Sequence, residues 1–223
     1  MSIRKNKAVV LLSGGLDSAV CLWWAKKRGW DCHALSFDYG QRHNKELKSA
    51  KKLARLTNVP LHVVRFALPW SGSSLTNAQE KLPHHQTLKK ITTTHLPSTY
   101  VPARNTIFLS FALSWADQIN ASKIVIGANA VDYSGYPDCR PKYIQSFESV
   151  ANLGSRLGTE KKIKIKIVAP LLKLSKADII RLGVKLKMPI EKTWSCYKGD
   201  KKPCGLCDSC LFRNKGLQEA GLL

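Results

Sequence analysis

Apolar positions fall into two rhythms that take turns along the chain. Ala8–Leu12 is an unbroken apolar run of strand length, and Cys32–Phe37, Leu61–Phe66 and Lys123–Gly127 repeat that character. Between them, Ser18–Arg28, Asn44–Thr57 and Arg104–Ile119 have the length and apolar spacing of helices. Lys161-Lys162-Ile163-Lys164-Ile165-Lys166-Ile167 alternates strictly, which predicts a strand with one wet face over Ile163–Ala169. A helix follows over Lys176–Lys187, and Ser175 three residues before Asp178 marks its start as a capping box with Asp in place of the longer Glu or Gln. Strands and helices in alternation predict an α/β fold, an open parallel sheet wrapped by helices on both faces.

The rhythm stops between Leu68 and Pro102, where Ser, Thr, Pro, Asn and His dominate. A connection of that length reads as a lid or mobile loop at 68–102, or conceals a short helix near Leu75–Lys81. The pattern divides the chain into an α/β domain over 1–190 and a small C-terminal segment, 191–223, packed on it.

At 223 residues the chain can bury a full core. No apolar run approaches the ~18 to 20 residues of a membrane span, so no membrane partner is expected. The basic start Met1–Lys7 runs into the first strand without a small-residue cleavage site, and a cytoplasmic protein is the expectation. Thirty-six Lys and Arg against 15 Asp and Glu leave a net charge of +21. Such an excess gathers anions, whether nucleotide or nucleic acid. The lysines are dispersed, however, without an arginine block or an aromatic-interleaved basic stripe. The charge reads as a solubilising surface, and nucleic acid is not an expected partner.

Four of the seven cysteines, Cys196, Cys204, Cys207 and Cys210, crowd into the C-terminal segment. That distribution argues against a disulfide framework and for a metal in a reducing compartment. Four thiolates at this spacing can surround one tetrahedral Zn²⁺, with all positions filled as in a structural site; an iron–sulfur cluster could use the same ligands. Cys21 and Cys32 read as core. Cys139 could be a nucleophile, but no neighbour reads as its base, and a packed cysteine is the better reading.

The end of the first strand carries the candidate chemistry. Leu12-Ser13-Gly14-Gly15-Leu16-Asp17-Ser18 leaves a strand, turns on two glycines and opens a helix. Glycine permits positive φ and lets oxygens approach the backbone, and successive N–H groups at a helix start suit an anion. Ser13 and Ser18 add hydroxyl donors. Asp17 would repel phosphate unless a cation stands between them, so it either binds Mg²⁺ or orients the loop. The lysine of the common GxxxxGK[ST] loop is absent. Lys176 is a cation in the first turn of a helix, where it opposes the macrodipole; an anion is therefore expected beside it.

The ordered set Ser-Gly-Gly-x-Asp-Ser resembles the pyrophosphatase-loop signature of the adenine-nucleotide α-hydrolase-like superfamily. The resemblance implies a Rossmann-like fold in which this cradle binds ATP with Mg²⁺ and holds pyrophosphate as leaving group while a substrate oxygen takes the α-phosphorus. Phe37–His43, Pro97–Thr106, Ile126–Pro141 and the cysteine-rich tail further resemble the 7-cyano-7-deazaguanine synthase family of queuosine precursor biosynthesis. That likeness runs from the cradle to Arg213 and is without matched residues over 68–96.

The resemblance implies conversion of 7-carboxy-7-deazaguanine and free ammonia to 7-cyano-7-deazaguanine with ATP. Ser13, Asp17, Ser18 and Lys176 are the residues expected in the chemistry, and the anion expected beside Lys176 is read as the triphosphate. Asp132 and Asp138 would accept from the N–H groups of the base, and Tyr133 and Tyr136 would stack on it. Arg104 and Arg140 would meet carboxylate or phosphate oxygens. The resemblance favours zinc for the cysteines and is compatible with a homodimer. The rival reading is an enzyme of the same superfamily that adenylates or thiolates a base within tRNA.

Overall fold

Strand β1 (Lys7–Leu11) lies at the centre of the sheet and is apolar almost throughout because helices cover both of its faces. The computed structural model describes residues 6–70, 72–77, 79–84, 96–129 and 135–223. Beside β1 on one side run β2 (Asp31–Asp38) and then β3 (Leu61–Arg65). On the other side run β4 (Lys123–Val125) and β5 (Lys166–Val168). All pairings are parallel, in the order β3-β2-β1-β4-β5. The chain builds outward from β1 to one edge and then restarts beside β1, which opens a crevice at the carboxyl ends of β1 and β4.

The period-two alternation of β1 sorts its side chains between two cores. Ala8 and Val10 join Val20 and Leu22 of α1 (Leu16–Lys27), Leu53 of α2 (Lys45–Thr57) and Ile180 further along the chain. Val9 and Leu11 join Leu109 and Ala112 of α3 (Arg104–Ile119) on the opposite face. The same face carries Phe147 of α4 (Pro141–Leu153) and Leu157 of the short α5 (Arg156–Thr159). Ile180 belongs to α6 (Lys176–Lys185), against which α7 (Asp208–Glu219) packs. None of the described helices is long and apolar enough to cross a membrane.

The open parallel sheet is the one expected, with local differences. The alternating lysine–isoleucine run buries Ile165 and Ile167 as expected, yet only Lys166–Val168 is strand. The Ile163 N–H bonds to the Leu157 carbonyl at 2.8 Å and the Ile165 N–H to Asn152 Oδ1 at 2.8 Å, so those residues are tied to α4 and α5 instead of the sheet. Helix α4 was not anticipated, although Pro141 at its first position and Ile144, Phe147 and Ala151 on one face are its signals. Helix α7 was likewise unanticipated. Among the described residues of 68–102, 75–77 and 79–81 are not helical, and 71, 78 and 85–95 lie outside the described residues.

Candidate active site

At the crevice the chain leaves β1 through Leu12, whose N–H still bonds to the Leu35 carbonyl of β2 at 2.8 Å. Gly14 then turns with φ +94°, and a Cβ there would stand 2.1 Å from the Glu46 carbonyl oxygen and 2.7 Å from the Ala50 nitrogen. The turn is thus pressed against the first turns of α2. The cradle closes on its own hydroxyls. Gly15 N–H donates to Ser13 Oγ at 3.2 Å, Gly14 N–H to Ser18 Oγ at 3.3 Å, and the two hydroxyl oxygens are 3.0 Å apart. Helix α1 has no side-chain cap, so its first-turn N–H groups face the crevice end of the helix.

Beside Lys176 stands an anion from the chain itself, Asp17. Lys176 Nζ donates to both Asp17 oxygens, at 2.9 and 2.8 Å, across a junction where the side chains are 16% and 23% exposed. Asn129, fully buried after β4, donates to Asp17 Oδ2 at 3.1 Å. Ser175 caps α6 as expected: its Oγ accepts from the Asp178 N–H at 3.2 Å and donates to the Asp178 carboxylate at 2.6 Å. Asp17 orients Lys176 and the loop together.

The cradle opens into a cavity of about 310 Å³ that Arg104, Tyr136 and Asp138 also line. Arg104 donates to the Tyr39 hydroxyl at 3.1 Å. Tyr136 shares a 2.9 Å hydrogen bond with Thr99 and stacks on Tyr100 at 6.0 Å between ring centroids. Asp138 is buried and its Oδ2 accepts the Asn105 N–H at 2.9 Å, so one of its acceptors is spent on the start of α3. Cys139 is buried beside it and accepts from Asn105 Nδ2 at 3.1 Å, consistent with a packed cysteine. Arg140 is exposed at the cap of α4 and is not among the residues lining the cavity. Asp132 and Tyr133 lie outside the described residues.

Tyr39, Glu46 and Arg213 are among the lining residues to which the sequence assigned no role. Burial pushes the Glu46 carboxyl up to about 7, with the Arg104 guanidinium pulling the other way. Tyr39 sits in the Phe37–His43 run that already drew notice. Glu46 and Arg213 look like ordinary charged helix residues until packing places them.

The four cysteines converge, with their sulfur atoms within 4.8 Å of one another. One tetrahedral ion can reach all four, so the donor set fits Zn²⁺. The Cys204 N–H donates to Cys196 Sγ at 3.3 Å, and a hydrogen bond from Cys210 holds the Cys207 thiol down. This cluster is joined to the cradle. Trp194 N–H donates to the Gly14 carbonyl at 3.0 Å, and Ser49 Oγ lies 2.8 Å from Gly14 O and 2.6 Å from Lys192 O. His43 Nδ1 accepts the Lys45 N–H at 3.4 Å, so Nε2 carries the proton that bonds to Cys196 O at 3.0 Å. Arg213 on α7 donates to Thr193, Ser195 and the Ile190 carbonyl while facing the cavity.

Residues 7–221 match the model of the family described as queuosine biosynthesis protein QueC. The chain belongs to that family. Among its curated relatives, the 7-cyano-7-deazaguanine synthase of Trichodesmium erythraeum is 56% identical over 218 residues, 97% of each chain. That of Thermoplasma acidophilum is 51% identical over 219 residues, 98% of this chain and 90% of the other. The fold is also that of an NMN synthetase from Francisella tularensis, with a TM-score of 0.53 at 17% identity, covering 97% of this chain and 87% of that one. Membership of the QueC family accounts for the whole described frame, from β1 to α7.

Proposed function

We propose that the protein is an ATP-dependent carbon–nitrogen ligase that converts 7-carboxy-7-deazaguanine and ammonia to 7-cyano-7-deazaguanine. The observation that carries this reading is the Ser13–Ser18 cradle opening into one cavity with Arg104, Tyr136 and Arg213. Triphosphate oxygens at the cradle replace the long internal bonds of the Gly14 and Gly15 N–H groups with shorter, charge-assisted ones. Lys176, held by Asp17, supplies a cation where negative charge gathers on the departing pyrophosphate. Ser13 and Ser18 turn their hydroxyls from each other to the phosphates.

A carboxylate resists attack by ammonia because it has no leaving group. Joined to the α-phosphorus, with loss of pyrophosphate, it becomes an acyl adenylate, and AMP departs as the C–N bond forms. A second activation, at the amide oxygen, lets another AMP carry that oxygen away while the nitrogen loses its two protons to give the nitrile. Arg104 offers a planar, bidentate partner for the substrate carboxylate, and Tyr136 with Tyr100 offers an aromatic face to the base.

Mg²⁺ would enter with ATP, and Asp17, the cradle carboxylate, would have to share its oxygens between that ion and Lys176 to hold it. Zn²⁺ on Cys196, Cys204, Cys207 and Cys210, with no open position, serves the fold of the 191–223 segment on the 1–190 domain. The substrates are free small molecules in the cytoplasm, with no nucleic acid.

Mass spectrometry of a reaction of the zinc-loaded protein with ATP, Mg²⁺, ammonium and 7-carboxy-7-deazaguanine tests this reading. Nitrile with AMP is expected. Folded protein that yields neither amide, nitrile nor nucleotide turnover would reject it in favour of a base within tRNA. In the same assay Lys176→Met is expected to lower kcat/KM for ATP about 10²-fold, the usual loss for one transition-state cation or donor. An unchanged value would remove Lys176 from the chemistry.

A further inference from the structure

Three carboxylates line the cavity among the described residues: Asp17, Glu46 and Asp138. Two are already engaged. Asp17 is neutralised by Lys176, and Asp138 accepts the Asn105 N–H. The Glu46 carboxylate has no hydrogen bond or ion pair among the described residues. Its helix is packed on the cradle turn, and the charge acting on its carboxylate is the Arg104 guanidinium of the same cavity. The Glu46 backbone carbonyl is the group on which the Gly14 turn is seated, so its side chain starts from the wall of the cradle itself. The rest of the charged lining is cationic: Arg42, Arg104, Arg213 and Lys176 belong to the same cavity wall.

Such a lining suits phosphates and a carboxylate but repels ammonium, the form in which ammonia is chiefly present near neutral pH. A cationic co-substrate needs an acceptor in the wall, and it cannot attack until it has lost a proton. We propose that Glu46 is a catalytic residue of the ligase, binding ammonium beside the cradle and taking the proton that frees its lone pair. The proposal rests on the ligase reading above.

The step balances as follows. Ammonium gives one proton to a Glu46 oxygen, and the freed nitrogen lone pair forms the C–N bond at the carbon of the acyl adenylate. The C–O bond to AMP breaks, and its electron pair leaves with the AMP phosphate. The second proton leaves the nitrogen of the adduct to solvent or to the departing phosphate, giving the neutral amide. Burial raises the Glu46 carboxyl toward neutrality, which matches a base that must accept a proton and release it in each turnover.

Glu46→Gln keeps the size and removes the base. Exchange of labelled pyrophosphate into ATP, driven by 7-carboxy-7-deazaguanine without ammonium, reads adenylation alone and is expected to match the parent protein. Amide formation from ammonium is expected to fall about 10²-fold, the lower end for general-base catalysis. Hydroxylamine is uncharged at neutral pH, so hydroxamate formation from it should be kept within a few fold, and Glu46→Asp should restore part of the ammonium reaction. Equal loss of exchange, amide and hydroxamate, with an unchanged melting temperature, would overturn the proposal and give Glu46 to the base or to ATP. An undiminished ammonium reaction would overturn it too. Absence of exchange in the parent protein would instead defeat the adenylating reading on which it rests.

Discussion

Gly14→Ala is expected to abolish ATP-dependent turnover and to destabilise the protein by about 2–5 kcal/mol. Two costs combine. An L-residue at φ +94° bears roughly 1–2 kcal/mol of backbone strain. The new methyl would also stand 2.1 Å from the Glu46 carbonyl oxygen and 2.7 Å from the Ala50 nitrogen. Both are backbone atoms of a packed helix, so relief requires the turn or α2 to move, at a cost of roughly 1–3 kcal/mol for overpacking. Either movement also displaces the N–H groups of the cradle, and activity falls with the geometry. Gly29→Ala separates the two costs, because Gly29 has φ +71° with nothing within 4 Å of the added methyl. Thermal melts should show a loss of roughly 5–15 °C for Gly14→Ala and only a few degrees for Gly29→Ala. Equal shifts would mean that the contact with α2 contributes nothing.

What the sequence made legible is what is local. The apolar run of β1, the two glycines after it and the capped start at Ser175 are each written in a few neighbouring residues, and each stands where it was expected. The cysteine spacing is local as well. Lys176 shows where that limit lies. Its misplacement on a helix dipole required an anion nearby, but the partner, Asp17, is 159 positions away, and only the sheet topology brings the pair together. Asp138 and Arg140 show it from the other side. Both stand in one conspicuous run, yet the turn before α4 sends one carboxylate to the start of α3 and leaves the arginine exposed. Glu46 and Arg213 carried no local mark, because a charged residue on a helix acquires a role only from what the helix is packed against. Helix α4 follows the same turn-rich run, and its apolar face begins only after Pro141, where the turn residues end.

Removal of the proposed Zn²⁺ is expected to affect the cradle as well as the cysteine segment. Structural Zn²⁺ binding in small domains amounts to about 10–16 kcal/mol of apparent free energy near neutral pH, comparable to the whole stability of a domain. Without the ion, four clustered thiolates repel or must take up protons, and the chain from Trp194 to Cys210 loses its anchor. That chain holds the cradle through the Trp194 N–H on the Gly14 carbonyl and the His43 bond to the Cys196 carbonyl, and α7 brings Arg213 to the cavity. The expected result of chelation, or of Cys207→Ser, is therefore a melting temperature lower by ten degrees or more, roughly, together with at least a tenfold weaker affinity for a non-hydrolysable ATP analogue. Affinity is measured below the new melting point, so that a displaced cradle is distinguished from an unfolded chain. Cys21→Ala, a small change in the core below the cradle and away from the cluster, should leave metal content unaltered. A metal-free protein that melts and binds nucleotide as before would show that the cysteine cluster and the cradle are independent. A drop in melting temperature with unchanged nucleotide affinity would confine the metal to the fold of the segment alone.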